Sequence, residues 1–183
     1  MEAIVDLGAL DRARDGDSSA FDALVEARVG SMLRTAMAIT GDDSEARDAV
    51  QDALVSAWRE LGALRDPGAF DAWLTRILVN RCRRGLRRRG RVRARELPVE
   101  AASELVGAAG ADPGGAVVER RALERAFDRL SVDERTLLVL HHLEGRPLAS
   151  ISEVLGIPLG TAKSRLSAAR RSLERALERE DAR

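Results

Sequence analysis

A single cysteine, Cys82, a single lysine, Lys163, and no tyrosine at all mark this chain of 183 residues. One cysteine excludes an internal disulfide framework. With only two histidines, the adjacent His141 and His142, no zinc set can be assembled either. Aromatic residues make up 3% of the chain, β-branched runs are few, and Ala, Leu and Arg dominate, which favours an all-α fold. Hydrophobic residues at 45% suffice to bury a core. No apolar run approaches the roughly 18 residues of a membrane span. The opening Met-Glu-Ala-Ile-Val-Asp lacks the basic start and apolar core of a signal peptide, so no membrane insertion and a cytoplasmic location are expected. Acidic residues are dispersed, no glycine-rich phosphate loop occurs and no nucleophile has an evident base partner. The expectation is a protein without catalytic residues, metal or cofactor.

The formal net charge of zero conceals segregation. Residues 1–75 hold 15 acidic and 7 basic side chains; residues 76–95 hold 10 arginines and no acid. Residues 96–115 hold 4 acids and no base, and residues 116–183 hold 13 basic and 11 acidic side chains. The arginine block is a dense positive field. Neutralising phosphates with such a field releases counterions, which gives salt-sensitive and largely sequence-independent binding to nucleic acid.

Breakers and periodicity divide the chain. Residues 91–115 pass from arginines through Leu97-Pro98 to Asp112-Pro113-Gly114-Gly115, without sustained amphipathic spacing, and read as a flexible linker. It separates a helical domain at 1–90 from a second at 116–183. In the first, a helix is predicted from Ser18 to Ile39. A second, capped by Asp42 or Asp43, runs to about Leu61. A third starts at Phe70 and runs out into the arginine block. Trp58 and Trp73 fall on the apolar faces and are assigned to the core.

Near the C-terminus, Ser150 to Leu173 reads as a helix-turn-helix. Gly156 suits the left-handed end of one helix and Pro158 the first turn of the next. Ala162, Leu166, Ala169, Leu173 and Leu177 recur at three- and four-residue steps as a core stripe. Gly160, Thr161, Ser164, Ser167 and Arg171 lie opposite, flanked by Lys163, Arg165 and Arg170. Small residues at the start of that helix permit close approach to base edges, and hydroxyls and cations reach bases and phosphates.

These elements together resemble the sigma-70 family, and within it the small extracytoplasmic-function (ECF) group that has only regions 2 and 4. The resemblance rests on Phe21-Asp-Ala-Leu-Val, Gly41 to Trp58, Phe70 to Asn80, Leu130 to Leu140 and Leu155 to Leu166, in that order and spacing. It implies a dissociable subunit that joins core RNA polymerase, through the β′ clamp helices and the β subunit, and directs promoter recognition, −10 melting and transcription initiation. Asp48, Gln51, Asp52 and Ser56 match the part that docks on the clamp helices. The loop at 64–69 and Asn80 match the part that extrudes and reads a −10 base, with Arg76, Arg83, Arg84 and Arg87 holding strand phosphates. Arg84 stands where the family often has an acid. Thr161, Lys163, Ser164 and Arg165, continued by Ser167 and Arg171, match the end that reads the −35 element. An anti-sigma factor is implied as a further partner. Two other readings stay open on the residues alone. One is a helix-turn-helix regulator that binds duplex DNA without polymerase, which leaves the N-terminal motifs unexplained. The other is an enzyme with an appended DNA-binding domain, such as a site-specific recombinase, for which no catalytic constellation is found.

Overall fold

A computed structural model describes residues 5–96 and 115–181, with side chains for residues 5–89 and 121–180. Aspartates open the first three helices. Asp6 accepts from the N–H groups of Gly8 and Ala9 at 2.9 and 3.1 Å and starts α1 (Leu7–Arg14). The spacing does not announce this helix, because eight residues with a glycine in the first turn give little periodicity. Packing makes it: Ala9, Leu10 and Ala13 are buried, and α1 lies on the next helix. Asp17 caps α2 (Ser18–Thr40), which ends at Gly41 with φ 72°, a left-handed conformation suited to glycine. Asp42 then caps α3 (Asp43–Glu60) by accepting from the Glu45 N–H at 2.9 Å. Two 3-10 turns, Leu61–Ala63 and Pro67–Ala69, lead into α4 (Phe70–Glu96).

The helix α4 continues past the linker boundary expected at residue 91. Arginine is a good helix former, and the first breaker after it is Pro98. The remaining linker, residues 97–114, lies outside the described residues. α5 (Gly115–Asp128) follows, then α6 (Val132–Leu138). A reciprocal capping box between Ser131 and Glu134 fixes the start of α6. A π turn at Val139–Leu143 carries the two histidines, and α7 (Leu148–Leu155) and α8 (Leu159–Asp181) complete the chain. The described residues contain helices and turns only.

α2, α3 and α4 pack together as a bundle, with Phe70, Leu78, Ile39, Ala53 and Ala57 at its centre. Phe21 meets Trp58 edge to face at 5.3 Å, and both tryptophans pack on the core, as expected. Arg28 ties α2 to the start of α4. Its guanidinium pairs with Asp71, donates to the Leu24 carbonyl at 2.6 Å and lies 5.1 Å from the Phe70 ring centre. In the second unit, Arg125 of α5 and Arg129 in the turn after it both pair with the buried carboxylate of Glu180 on α8.

The two units are in contact. α2 packs against α6 and the π turn, α4 packs against α6 and α7, and one continuous apolar cluster runs from Leu10 to Ala169. Polar contacts surround this seam. Asp133 pairs with Arg83 at 2.7 Å, and Arg146 donates to the Thr75 hydroxyl at 2.7 Å. Thr35 donates to the Glu144 carboxylate. Arg135 reaches the Ile39 carbonyl at 3.4 Å, one of the last carbonyls of α2, where a cation offsets the helix dipole.

The Arg28 anchor yields a stability prediction. Arg28→Ala leaves a half-buried Asp71 unpaired and should lower stability by about 3 kcal/mol, read from urea unfolding.

Candidate nucleic-acid interface

The site starts from the geometry of α4. Arg76, Asn80, Arg83, Arg84 and Arg87 are spaced at three, four and seven residues, which places all five within an arc of about 100°. The opposite side supplies the core through Leu74, Leu78 and Cys82. Burial pushes the Cys82 thiol up to about 12, so it stays protonated and serves as packing. Asn80, Arg76, Arg84 and Arg87 are exposed. Arg83 is not: its side chain is 22% exposed and its guanidinium is paired with Asp133. Arg76 reaches toward the turn before α8, its Nη2 lying 3.9 Å from where a Cβ would sit on Gly156. The C-terminal unit therefore borders one edge of the arginine face. Of the other arginines in the block, Arg81 donates to the Ser56 hydroxyl, and Arg89 pairs with Glu45 at 3.0 Å and Asp42 at 3.8 Å.

The loop before α4 is anchored at its start. Leu64 is buried and its carbonyl accepts from Arg14 of α1, so it anchors the loop. Asp66 spends its carboxylate on the Gly68 N–H at 2.9 Å, which stabilises the 3-10 turn. Arg65 and Asp66 remain exposed.

On α3, Asp48, Gln51 and Asp52 are exposed on one face. Ser56 does not join them. It is 7% exposed, donates to the Asp52 carbonyl at 2.8 Å and accepts from Arg81. The slow drift of positions four apart turns it toward α4, where Arg81 covers it, so it staples two helices and is not a surface contact. Sequence reasoning also missed an apolar element beside these acids. Val55 is 43% exposed and, with Val29, Leu33 and Leu54, lines a shallow groove between α2 and α3. The signal was an apolar residue next to Leu54 that breaks the stripe of α3.

The helix-turn-helix has the expected form. Gly156 takes φ 64° and its N–H returns to the Ser152 and Glu153 carbonyls, after which Pro158 accepts the first bond of α8 from the Ala162 N–H at 2.9 Å. Ala162, Leu166 and Ala169 are buried. Lys163, Ser164, Arg165, Ser167 and Arg171 are exposed and Thr161 is half-buried. Two hydroxyls are held within the helix: Ser164 donates to the Thr161 carbonyl at 3.0 Å, and Ser167 accepts from Arg171 at 2.9 Å.

A second surface lies on the far side of the seam. An apolar groove of about 1130 Å³ runs between α2, α5, the π turn and α8, lined by Leu33, Met37, Leu123, Phe127, Leu138 and Leu143. Met37, Leu123 and Leu143 are three of the six exposed large apolar side chains among the described residues, so exposure is concentrated there. His142 sits on the rim and accepts from Arg170 at 3.3 Å; burial, then the Arg170 charge and His141, push its pKa down. Among the described residues no group of histidine, cysteine, aspartate or glutamate forms a metal cluster, and no helix is long and apolar enough to cross a membrane.

An exposed arginine-faced helix with an amide at its centre, in one chain with a helix-turn-helix, is the arrangement of a DNA-binding protein. Residues 24–92 match the family described as Sigma-70 region 2, and residues 120–173 match Sigma-70, region 4. The chain is 35% identical to the ECF RNA polymerase sigma factor SigM of Mycobacterium tuberculosis over 162 residues, covering 88% of this chain and 79% of that one. It is 31% identical to the RNA polymerase sigma-H factor of Pseudomonas aeruginosa, covering 92% of each. In fold it is similar to the sigma factor RpoE of Bartonella quintana, solved in complex with the anti-sigma factor NepR, with a TM-score of 0.66 at 24% identity, covering 86% of this chain and 96% of that one. The chain belongs to the sigma-70 family and is an RNA polymerase sigma factor of the extracytoplasmic-function type. The reading as a stand-alone regulator leaves α2, α3 and α4 without a role and is set aside.

The buried thiol gives the second prediction. Folded protein at pH 8 should resist iodoacetamide at Cys82 and react within minutes once unfolded in urea. Because the folded thiol titrates at about 12 and an ordinary one at 9.0, stability should fall as pH rises between those values.

Proposed function

We propose that residues 1–90 form the unit that docks on core polymerase and opens the −10 element, that residues 116–183 read the −35 element, and that residues 91–115 join the two. The observation that carries this is the shared arc on α4. It sets one amide, Asn80, among four guanidinium groups, so a base edge and its neighbouring phosphates can be held by one rigid helix. Asp48, Gln51 and Asp52 make the docking face toward the β′ clamp helices, and Val55 with its groove adds an apolar anchor that a charged face alone lacks. Ser56 acts behind that face by fixing α3 to α4. Lys163, Arg165 and Arg171 approach phosphates, and Thr161, Ser164 and Ser167 approach bases once their internal hydrogen bonds exchange for DNA.

The chain acts with polymerase in the cytoplasm and contributes positioning, while bond formation belongs to the polymerase. The relative from Bartonella quintana is bound by an anti-sigma factor. We assign the apolar groove between α2 and α8 to a regulatory partner of that kind, whose amphipathic helix would cover Met37, Leu123 and Leu143.

Purified chain added to core polymerase should confer transcription from its own promoter, which a duplex-binding regulator cannot do on core enzyme alone. Asp52→Arg should weaken binding to core by about tenfold, a loss of the order found for one rim charge reversed into repulsion. Unchanged affinity in a pull-down titration would remove the docking assignment. Asn80→Ala should leave core binding intact and reduce promoter opening, followed by permanganate reactivity of unpaired thymines. Normal opening would remove Asn80 from the site.

A further inference from the structure

We propose that α1 is a brace for the loop before α4, with Arg14 as a positioning residue that sets the base preference of that loop. This rests on the reading of residues 64–69 and Asn80 as the part that holds an extruded −10 base. The loop has little means of fixing itself. Residues 62–69 include two glycines, two alanines and a proline, so few side chains are available to pack. A base is discriminated only when the groups facing it are held to within about half an ångström. The downstream half is held locally: the Asp66 carboxylate accepts from the Gly68 N–H at 2.9 Å, and its carbonyl accepts from the Ala69 N–H at 3.0 Å. The upstream half is held from outside. The Leu64 side chain is buried, its N–H donates to the Leu61 carbonyl at 3.2 Å, and its carbonyl accepts from Arg14, 50 residues earlier. Arg65 stands exposed between the two anchors and is the loop's one cation.

Arg14 suits this task. It lies in the last turn of α1, where its Nη1 pairs with Asp11 at 3.3 Å while its Nη2 donates to Leu64. The planar guanidinium is therefore gripped on two sides, and its geometry is fixed. Its side chain is 27% exposed, so water competes poorly for the Leu64 carbonyl. α1 itself packs on α2 and on the turn at Leu61–Ala63, the root of the same loop. An anchor of this kind acts on populations. Without it the loop spends less time in the conformation that meets the base, and apparent affinity falls by that fraction. Phosphate contacts from α4 do not pass through Leu64, so only the base-dependent part of binding is lost.

The test uses holoenzyme assembled from the full chain and core polymerase, with a pool of short single-stranded DNA of random sequence whose bound fraction is sequenced. Parent holoenzyme should enrich one base at a −10 position. Arg14→Met, which keeps an apolar stem and loses the donor, should flatten that preference about fivefold, the share of one net hydrogen bond. Its affinity for the unselected pool should stay unchanged. Arg14→Lys, which keeps a donor, should recover most of the preference. Arg12→Ala controls for the stability of α1: Arg12 lies in the same turn and pairs with Asp17, the cap of α2, at 3.7 Å. It should lower the melting temperature and leave the base preference intact. Amide exchange in residues 64–69 should quicken in Arg14→Met and not in Arg12→Ala. Undiminished preference in Arg14→Met, or equal flattening by Arg12→Ala, would overturn the brace and leave the −10 reading in place. Parent holoenzyme that enriches no base at any position would overturn the −10 reading, and the brace with it.

Discussion

Ten arginines within residues 76–95 repel one another, and α4 carries them only because its other side is locked into a core. Most of the remaining structure follows from that conflict. Arg28 and Asp71 fix where α4 begins, so the apolar side faces α2 and α3 and the arginine face turns outward. Ser56 and Arg81 hold α3 against the same helix, and Glu45 with Asp42 meets Arg89. These contacts are not separate decorations. Each draws one cation to a local acid or hydroxyl, while Arg76 and Arg84 stay exposed on the arc with Asn80.

The seam extends the same logic between units. The four polar contacts there surround an apolar junction that neither unit could leave exposed without cost. A strong junction would fix the two units rigidly to one another, and a weak one would leave apolar surface open to aggregation. The seam has continuous apolar burial at its centre and two unsatisfied guanidinium nitrogens at its rim, which places it between those limits.

Much of this was legible in sequence. The capping aspartates, the Gly41 and Gly156 stops and the stripe at Ala162, Leu166 and Ala169 act through local rules, so α2, α3, α7 and α8 were read close to their observed ends. What escaped depends on tertiary context. α1 exists because α2 and the turn at 61–63 cover Leu10. Ser56 has the composition of a surface residue and is buried by its partnership with Arg81, which no spacing rule encodes. Asp133 looked like an ordinary first-turn acid, and its pairing with Arg83 joins positions fifty residues apart. Arg28 carries no motif, and its importance is visible only once Asp71 and Phe70 stand beside it.

The π turn at Val139–Leu143 has a consequence for how such a protein can change. A π turn holds one residue more than the α-helix needs, and its backbone bonds run from the Glu144 N–H to Val139 and from Arg146 to Leu140, both at 3.0 Å. Deleting that one residue would restore regular helical spacing through the turn and shift the residues just after it by about 100° about the helix axis, ahead of the loop at 144–147. Glu144 and Arg146, which hold Thr35 and Thr75, follow the turn directly, so losing that residue would draw both out of register with α2 and α4 and loosen the seam without changing any residue of α7 or α8.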